Sequence, residues 1–325
     1  MKLSVTSEAW PIAGTFRISR GSKTEAMVVV CTLTAGSYSG RGECVPYARY
    51  GESVEGVIAA LNAVAGHLYD GIGPEAAQAL LPAGAARNAL DCALWDLRAK
   101  ALGVPAWQLA GLPRPGSLVT AYTLSLDTPE KMGEAARAVA SKPLLKLKLG
   151  GEGDIERVEA VRAAAPASRL VVDANEAWTP EQIAPFTAAM ARLGVELIEQ
   201  PLPAGADEAL SGIRSAVPLC ADESCHDRAG LAALVGRYTH INVKLDKTGG
   251  LTEAIQLART AQSLGLGLMV GCMVGTSLAM APAALLGGMA DFVDLDGPLL
   301  LARDRDPAIT FDGSVMQPPP PALWG

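Results

Sequence analysis

From about residue 118 onward, polar and apolar positions follow a repeating plan: a short apolar run of strand character, a charged side chain at its end, then a stretch of helical spacing. The clearest run is Leu145-Lys146-Leu147-Lys148-Leu149, whose alternation sends both lysines to one side of a strand and the leucines to the other. Asp173 ends Arg169-Leu170-Val171-Val172, Glu199 ends Val195-Glu196-Leu197-Ile198, and Asp222 follows Val217-Pro218-Leu219-Cys220-Ala221. Lys244 ends Ile241-Asn242-Val243 and Asp294 ends Phe292-Val293, with another strand expected near Leu268-Met269-Val270. Intervals of 25, 26, 23 and 22 residues separate Lys148, Asp173, Glu199, Asp222 and Lys244 in turn, and 50 more reach Asp294. A strand, a helix and two short loops occupy roughly 25 residues, so the spacing predicts successive βα units. In a closed parallel barrel the C-terminal strand ends meet at one mouth, which would gather these charged groups.

The first 112 residues lack this interval and read as a separate α+β unit. Ala26 to Thr34 is a predicted strand, Gly36 to Gly42 a turn, and Ala85 to Ala101 carries Ala89, Leu90, Ala93, Leu94 and Leu97 at helical spacing. Residues 113–300 then form the barrel, its first strand expected over Val119 to Leu124. Thr128-Pro129-Glu130 and Thr179-Pro180-Glu181-Gln182 mark helix starts, the second as a capping box. Residues 301–325, with a strand pattern at Ile309-Thr310-Phe311 and prolines from Pro318 to Pro321, are expected to pack back on the N-terminal unit. The uncharged stretch from Thr260 to Ala290 is long enough to span a bilayer. Glycines at 265, 267, 271, 275, 287 and 288 and Pro282 divide it into strand, loop and helix, so no membrane span is expected.

Composition removes further classes. Half of the 325 residues are hydrophobic and the net charge is −7, with no basic stripe to bind nucleic acid. The six cysteines show no CxxC pairing, and no apolar leader follows Met1-Lys2-Leu3; both features suit reduced thiols in a cytosolic protein.

The gathered residues suggest a chemistry. Lys146 and Lys148 lie close enough to repel, so each is expected to resist protonation, as an amine acting as a base near neutral pH must. Asp173, Glu199 and Asp222 are hard oxygen donors without a histidine or cysteine at metal spacing, which favours Mg²⁺, or Mn²⁺, over zinc. His67, His226 and His240 fall off the pattern, and His226 reads as a surface or packing residue rather than a ligand. Lys148 and Lys244 approach from strands on either side of the acids. A bound carboxylate substrate would present its α-carbon between them, one amine removing a proton and the other returning it on the opposite face. Lys146 and the cation would hold the developing enediolate. The predicted reaction is a 1,1-proton transfer.

Taken together, Lys-x-Lys, Asp173-Ala174-Asn175, Glu199-Gln200-Pro201, Asp222-Glu223-Ser224 and Lys244 resemble the enolase superfamily, muconate lactonising subgroup. The resemblance implies an α/β fold, a modified (β/α)₇β TIM-like barrel with an α+β capping domain. Asp294-Leu295-Asp296 resembles the Asp-x-Asp signature of dipeptide epimerases, implying that Asp294 and Asp296 receive the substrate's free ammonium while its carboxylate reaches the metal. Pro82 to Asp91 and Ala221 to His226 resemble the Ala-Glu epimerases of murein-peptide recycling. There an arginine of a mobile N-terminal loop meets the glutamate side chain; Arg20 is the best match, Arg17 the alternative. Thr123 is either a substrate hydrogen-bonding group or a capping hydroxyl, and Glu43 is read as structural. Alternative activities are an o-succinylbenzoate synthase-like dehydratase, a muconate cycloisomerase-like enzyme or an N-acylamino acid racemase. The first two substrates carry no ammonium for the aspartate pair. A homo-oligomer is left open.

Overall fold

The computed structural model describes residues 1–69 and 71–325. The N-terminal unit is a three-stranded antiparallel sheet in the order β1 (Lys2–Ile18), β2 (Gly21–Ala35) and β3 (Tyr38–Cys44), packed against helices. Its core joins Val29, Cys31 and Leu33 of β2 to Leu90 and Leu94 of the helix Ala85–Leu102. β3 lies so close to this helix that a Cβ on Gly42 would fall 2.1 Å from the Ala89 carbonyl oxygen, which explains a glycine there. The sequence suggested a strand from Ala26; β2 starts earlier and β1, the longest strand, was not foreseen.

Next in the chain, β4 (Leu118–Val119) is followed by eight parallel strands: β5 (Tyr122–Leu124), β6 (Leu144–Lys148), β7 (Arg169–Asp173), β8 (Val195–Glu199), β9 (Leu219–Ala221), β10 (His240–Val243), β11 (Gly267–Gly271) and β12 (Phe292–Asp294). They neighbour one another in chain order. A parallel bridge from Thr120 to Val293 and a bond from Ala121 N to Val293 O bring the last strand round to the first. The fold is therefore an α/β barrel with a strand-rich cap. The expected strand Val119 to Leu124 is divided instead, because Leu118 and Val119 pair with β14 (Val315–Met316), itself in a hairpin with β13 (Phe311–Asp312). The predicted tail strand sits correspondingly later, at Phe311 rather than Ile309.

Strand alternation sorts the barrel residues into two environments. Leu145, Leu147, Leu170, Val172, Ile198, Ile241 and Val270 face the surrounding helices in the main core. Ala121, Leu144, Val171, Leu197, Cys220 and Met269 form a separate apolar cluster that floors the barrel interior. Two residues further along, Thr123, Lys146, Asp173, Glu199 and Asp222 bring polar groups to the mouth, while β11 brings Gly271. Thr128 caps its helix by accepting from Lys131 N, and Thr179 N donates to Gln182 Oε1 in the foreseen capping box. The uncharged stretch is broken as expected, by β11 and the helix Ser277–Ala284, and no helix among the described residues is long and apolar enough to cross a membrane. The tail lies on the cap: Trp324 Nε1 donates to Cys92 O and Gly325 N to Asp96 Oδ1.

Candidate active site

Above the apolar floor, β6 contributes Lys146 and Lys148, β7 Asp173, β8 Glu199, and the ends of β9 and β10 Asp222 and Lys244, all buried. Asp173, Glu199 and Asp222 each offer an oxygen, and these three atoms lie within 4.8 Å of one another. Like charges that close need a cation between them. The donors are all carboxylate oxygens, so the cluster fits a hard divalent ion.

Among the protein's own groups, the lysines neutralise the acids. Lys146 Nζ lies 2.5 Å from Glu199 Oε2, 2.8 Å from Asp294 Oδ2 and 3.4 Å from Asp173 Oδ2. Lys148 Nζ donates to Asp173 Oδ2 (2.5 Å) and Lys244 Nζ to Asp222 Oδ2 (2.6 Å). For Lys146 this corrects the expectation of an amine that resists protonation. Burial does work against the Lys146 and Lys244 charges, but Asp294 and Glu199 around Lys146, and Asp222 beside Lys244, outweigh it and raise both well above the ordinary lysine range. Burial is also outweighed at Asp173, held at about 2 by Lys148 and Lys146, and at Asp222, pulled well down by Lys244 and Lys247. Glu199 goes the other way: burial and the neighbouring Asp173 push it up to about 7.

Several supports were not foreseen. Asn242, two residues before Lys244 on the same face, donates from Nδ2 to Glu199 Oε1 (2.6 Å). Gln200 accepts from Asp222 N and Ser224 N and donates to Leu202 O, tying the ends of β8 and β9. Asn175, Glu176 and Gln200, just past two acid-bearing strand ends, have φ of 45°, 68° and 36°, uncommon for residues with side chains. The alternation of Asn242 with Lys244 was a usable signal; the backbone turns had none.

A cavity of about 820 Å³ opens from this cluster toward the cap, lined by Lys146, Lys148, Asp222 and Lys244 from below and by Arg20, Tyr47 and Tyr50 from above. Asp294 and Asp296 line its other side. Asp294 Oδ1 is buried without a hydrogen-bond partner among the described residues, while Asp296 Oδ2 accepts from Thr123 N at 2.7 Å. Burial and the Asp294 charge push Asp296 up to about 7. Thr123 also lines the cavity; it lies within β5 rather than at its end, so it is no helix cap. Arg20, in the β1–β2 turn, donates to Glu223 Oε1 (2.7 Å), Asn175 O (3.0 Å), Glu176 Oε2 (3.1 Å) and Tyr47 OH (3.2 Å). Arg17 is half exposed, 3.7 Å from Asp127, and does not line the cavity. His226 packs edge-on against Tyr50. Glu43 is buried among Thr276 and Arg305, away from the acid cluster.

An eight-stranded βα barrel with this cap, two lysines on one strand, three clustered acids and a third lysine opposite define a family. Residues 1–111 match the mandelate racemase / muconate lactonizing enzyme N-terminal domain, and residues 131–319 the enolase C-terminal domain-like family. The chain belongs to the mandelate racemase / muconate lactonizing enzyme family of the enolase superfamily. Within it, the chain is 48% identical over 311 residues, 95% of its own length and 97% of the relative's, to L-Ala-D/L-Glu epimerase of Escherichia coli strain K12. It is 47% identical to N-acetyl-D-glutamate racemase of a Pseudoalteromonas species, over 92% of this chain and 95% of the relative. Among solved structures, an enolase family member from Agrobacterium tumefaciens with homology to dipeptide epimerases superposes with a TM-score of 0.97 at 52% identity, covering 99% of each chain. That protein was solved with sodium, L-Ala-L-Glu and an ordered loop.

Proposed function

We propose that this chain is a Mg²⁺-dependent dipeptide epimerase, moving a proton at the α-carbon of the C-terminal residue of L-Ala-L-Glu and L-Ala-D-Glu. The observation that carries the reading is the placement of Lys148 and Lys244 at the ends of β6 and β10, with β7, β8 and β9 and their acids between them. An amine stands on each side of the carboxylate cluster, which is what a proton exchange between two faces of one carbon requires.

In this reading Asp173, Glu199 and Asp222 hold Mg²⁺, or Mn²⁺, which when bound offsets the charge of the enediolate. Lys148 Nζ takes the α-proton from one diastereomer and Lys244 Nζ delivers one to the other face; for the reverse substrate the roles exchange. Lys146, fully buried, keeps a fixed positive charge beside the reacting carboxylate. Asp294 and Asp296 take the ammonium of the first residue, for which the unpartnered Asp294 Oδ1 is suited. Arg20, at the cavity's upper edge, pairs with the glutamate side chain, and Thr123 holds Asp296 in place through its N–H. Residues 1–112 act as the cap, 113–300 as the catalytic barrel and 301–325 as a tie between them. Recycling of murein peptides in the cytosol is the accordant role.

The resemblance to an N-acetyl-D-glutamate racemase favours one second reading, racemisation of an N-acylated glutamate by the same lysines. Such a substrate has no ammonium for Asp294 and Asp296. L-Ala-L-Glu, L-Ala-D-Glu and N-acetylglutamate, each incubated in D₂O with Mg²⁺, separate the two. Deuteration and inversion of the dipeptides are expected; exchange of N-acetylglutamate alone refutes the dipeptide reading.

A further inference from the structure

Three residues after Lys244, in the short helix Leu245–Thr248, stands a fourth lysine that the reaction does not use. The Lys247 side chain is 0% exposed. Its ammonium donates to Asp222 Oδ1 at 2.6 Å, to Asp222 O at 2.6 Å and to Asn242 O at 3.0 Å. All three of its protons are thereby committed. Because Lys244 Nζ takes the other carboxylate oxygen, Oδ2, the Asp222 carboxylate is shared between two ammoniums from one turn of chain. Asn242, whose carbonyl Lys247 holds, is also the residue whose side chain fixes Glu199 Oε1.

Burying an ammonium is costly, and an apolar side chain of similar size would serve packing alone at least as well. The three bonds do something that a packing residue cannot. With Lys244 they fix the rotation of the Asp222 carboxylate about its Cβ–Cγ bond, Oδ1 held by Lys247 and Oδ2 by Lys244. They also lock the end of β9 to the end of β10, so two of the three clustered acids are oriented through one cation. We infer that Lys247 is a positioning residue of the cation site, holding Asp222 so that Oδ2 faces the ion and, through Asn242, keeping Glu199 in register with it.

This inference rests on the reading of Asp173, Glu199 and Asp222 as a cation site, and it is tested without substrate. Mg²⁺ affinity of the full-length protein is measured by titration calorimetry, together with the melting temperature. Replacing such an outer partner typically weakens metal binding about 10- to 100-fold, and that loss is expected for Lys247→Met. In an Asp222→Asn background the same substitution should weaken binding by less than it does in the wild type, because only the arm through Asn242 to Glu199 remains. The electron paramagnetic resonance spectrum of bound Mn²⁺ should also differ between wild type and Lys247→Met. Where Lys247→Met does not fold, Lys247→Gln, neutral yet still able to donate to a carbonyl, enters the same measurements with the same expected losses. Unchanged Mg²⁺ affinity, losses that simply add to those of Asp222→Asn, or an unaltered Mn²⁺ spectrum would each overturn the inference. Failure of the wild-type protein to bind Mg²⁺ would instead overturn the cation reading beneath it.

Discussion

Replacing the two opposed lysines one at a time gives the sharpest test of the proton-transfer scheme. Lys148→Met removes the amine and keeps the length and apolar bulk of the side chain. The structure limits the collateral damage: Asp173 loses its 2.5 Å partner but keeps Lys146 at 3.4 Å, and Glu199 and Asp222 retain theirs. Mg²⁺ affinity should therefore move less than about tenfold. Epimerisation needs both amines and should fall by about 10²- to 10⁴-fold, the usual worth of a positioned acid or base, or roughly 3–5 kcal/mol of barrier. Deuterium exchange needs only one. Proton NMR in D₂O, started separately from L-Ala-L-Glu and L-Ala-D-Glu, should show Lys148→Met exchanging one diastereomer and Lys244→Met the other. If each variant loses exchange equally from both, or both spare the same diastereomer, the amines do not serve opposite faces and the scheme is wrong.

Three other consequences can be checked. Arg20→Met should lower kcat/KM for Ala-Glu by roughly 10- to 100-fold, the worth of one charge-assisted bond, and for Ala-Leu by less than threefold; equal losses would show that Arg20 closes the cavity without reading the side chain. Burial and Asp173 raise Glu199 to about 7, and the ion must displace that proton, so Mg²⁺ affinity should climb about tenfold per pH unit below 7 and level off above it. Calorimetry in buffers of different ionisation enthalpy measures the released proton, and an affinity flat from pH 5.5 to 7 would contradict the argument. Asp154→Ala takes away a buried carboxylate that accepts from Gly150 N, Gly151 N, Arg157 Nη1 and Trp178 Nε1. A cost of about 3–5 kcal/mol is expected, which for a chain this long is a fall of roughly 4–7 °C in melting temperature by calorimetry; a shift under 1 °C would mean that water replaces those bonds freely.

What could be read in advance followed from local repetition. Leu144 to Lys148, Arg169 to Asp173 and Val195 to Glu199 are strands whose alternation and interval are visible within a few residues, and the same period places their charged ends at one mouth. Features that depend on distant partners were not visible. β4 is set apart from β5 because Leu118 meets Met316, a pairing across nearly the whole barrel sequence. β1 is an outer strand with one largely exposed face and Pro11 in its middle, so its apolar alternation is faint. The charge state of Lys146 was misjudged for the same reason: its neighbour Lys148 is two residues away, while Glu199 and Asp294, which decide the matter, lie far along the chain. Lys247 carried no local signal, since Lys244 is extended backbone at the end of β10 and the two lysines meet only through Asp222.

The cap grips the barrel unequally on its two sides. On one, Glu43 at the end of β3 is buried and accepts from Thr276 N and from Arg305, which also bonds Glu8, while Asp246 accepts from Val45 N and Asn88 Nδ2. Breaking such contacts strands buried charges, at a cost of several kcal/mol. On the other side the β1–β2 turn is held by Arg20, whose side chain is 27% exposed, and the same Glu176 is shared with the 40% exposed Arg49. The Arg49 pair is open to water and contributes about 1 kcal/mol or less, weakened further by salt. The Arg20 pairs are less exposed, since the Glu223 and Glu176 side chains they reach are 2% and 9% exposed. A dipeptide must enter a cavity whose floor is a dense set of ammoniums and carboxylates, and those groups work best when water is shut out. The Glu43 side is fixed away from the cavity, whereas Arg20 lines it, so the Arg20 side is where protein contacts can be exchanged for contacts with a substrate.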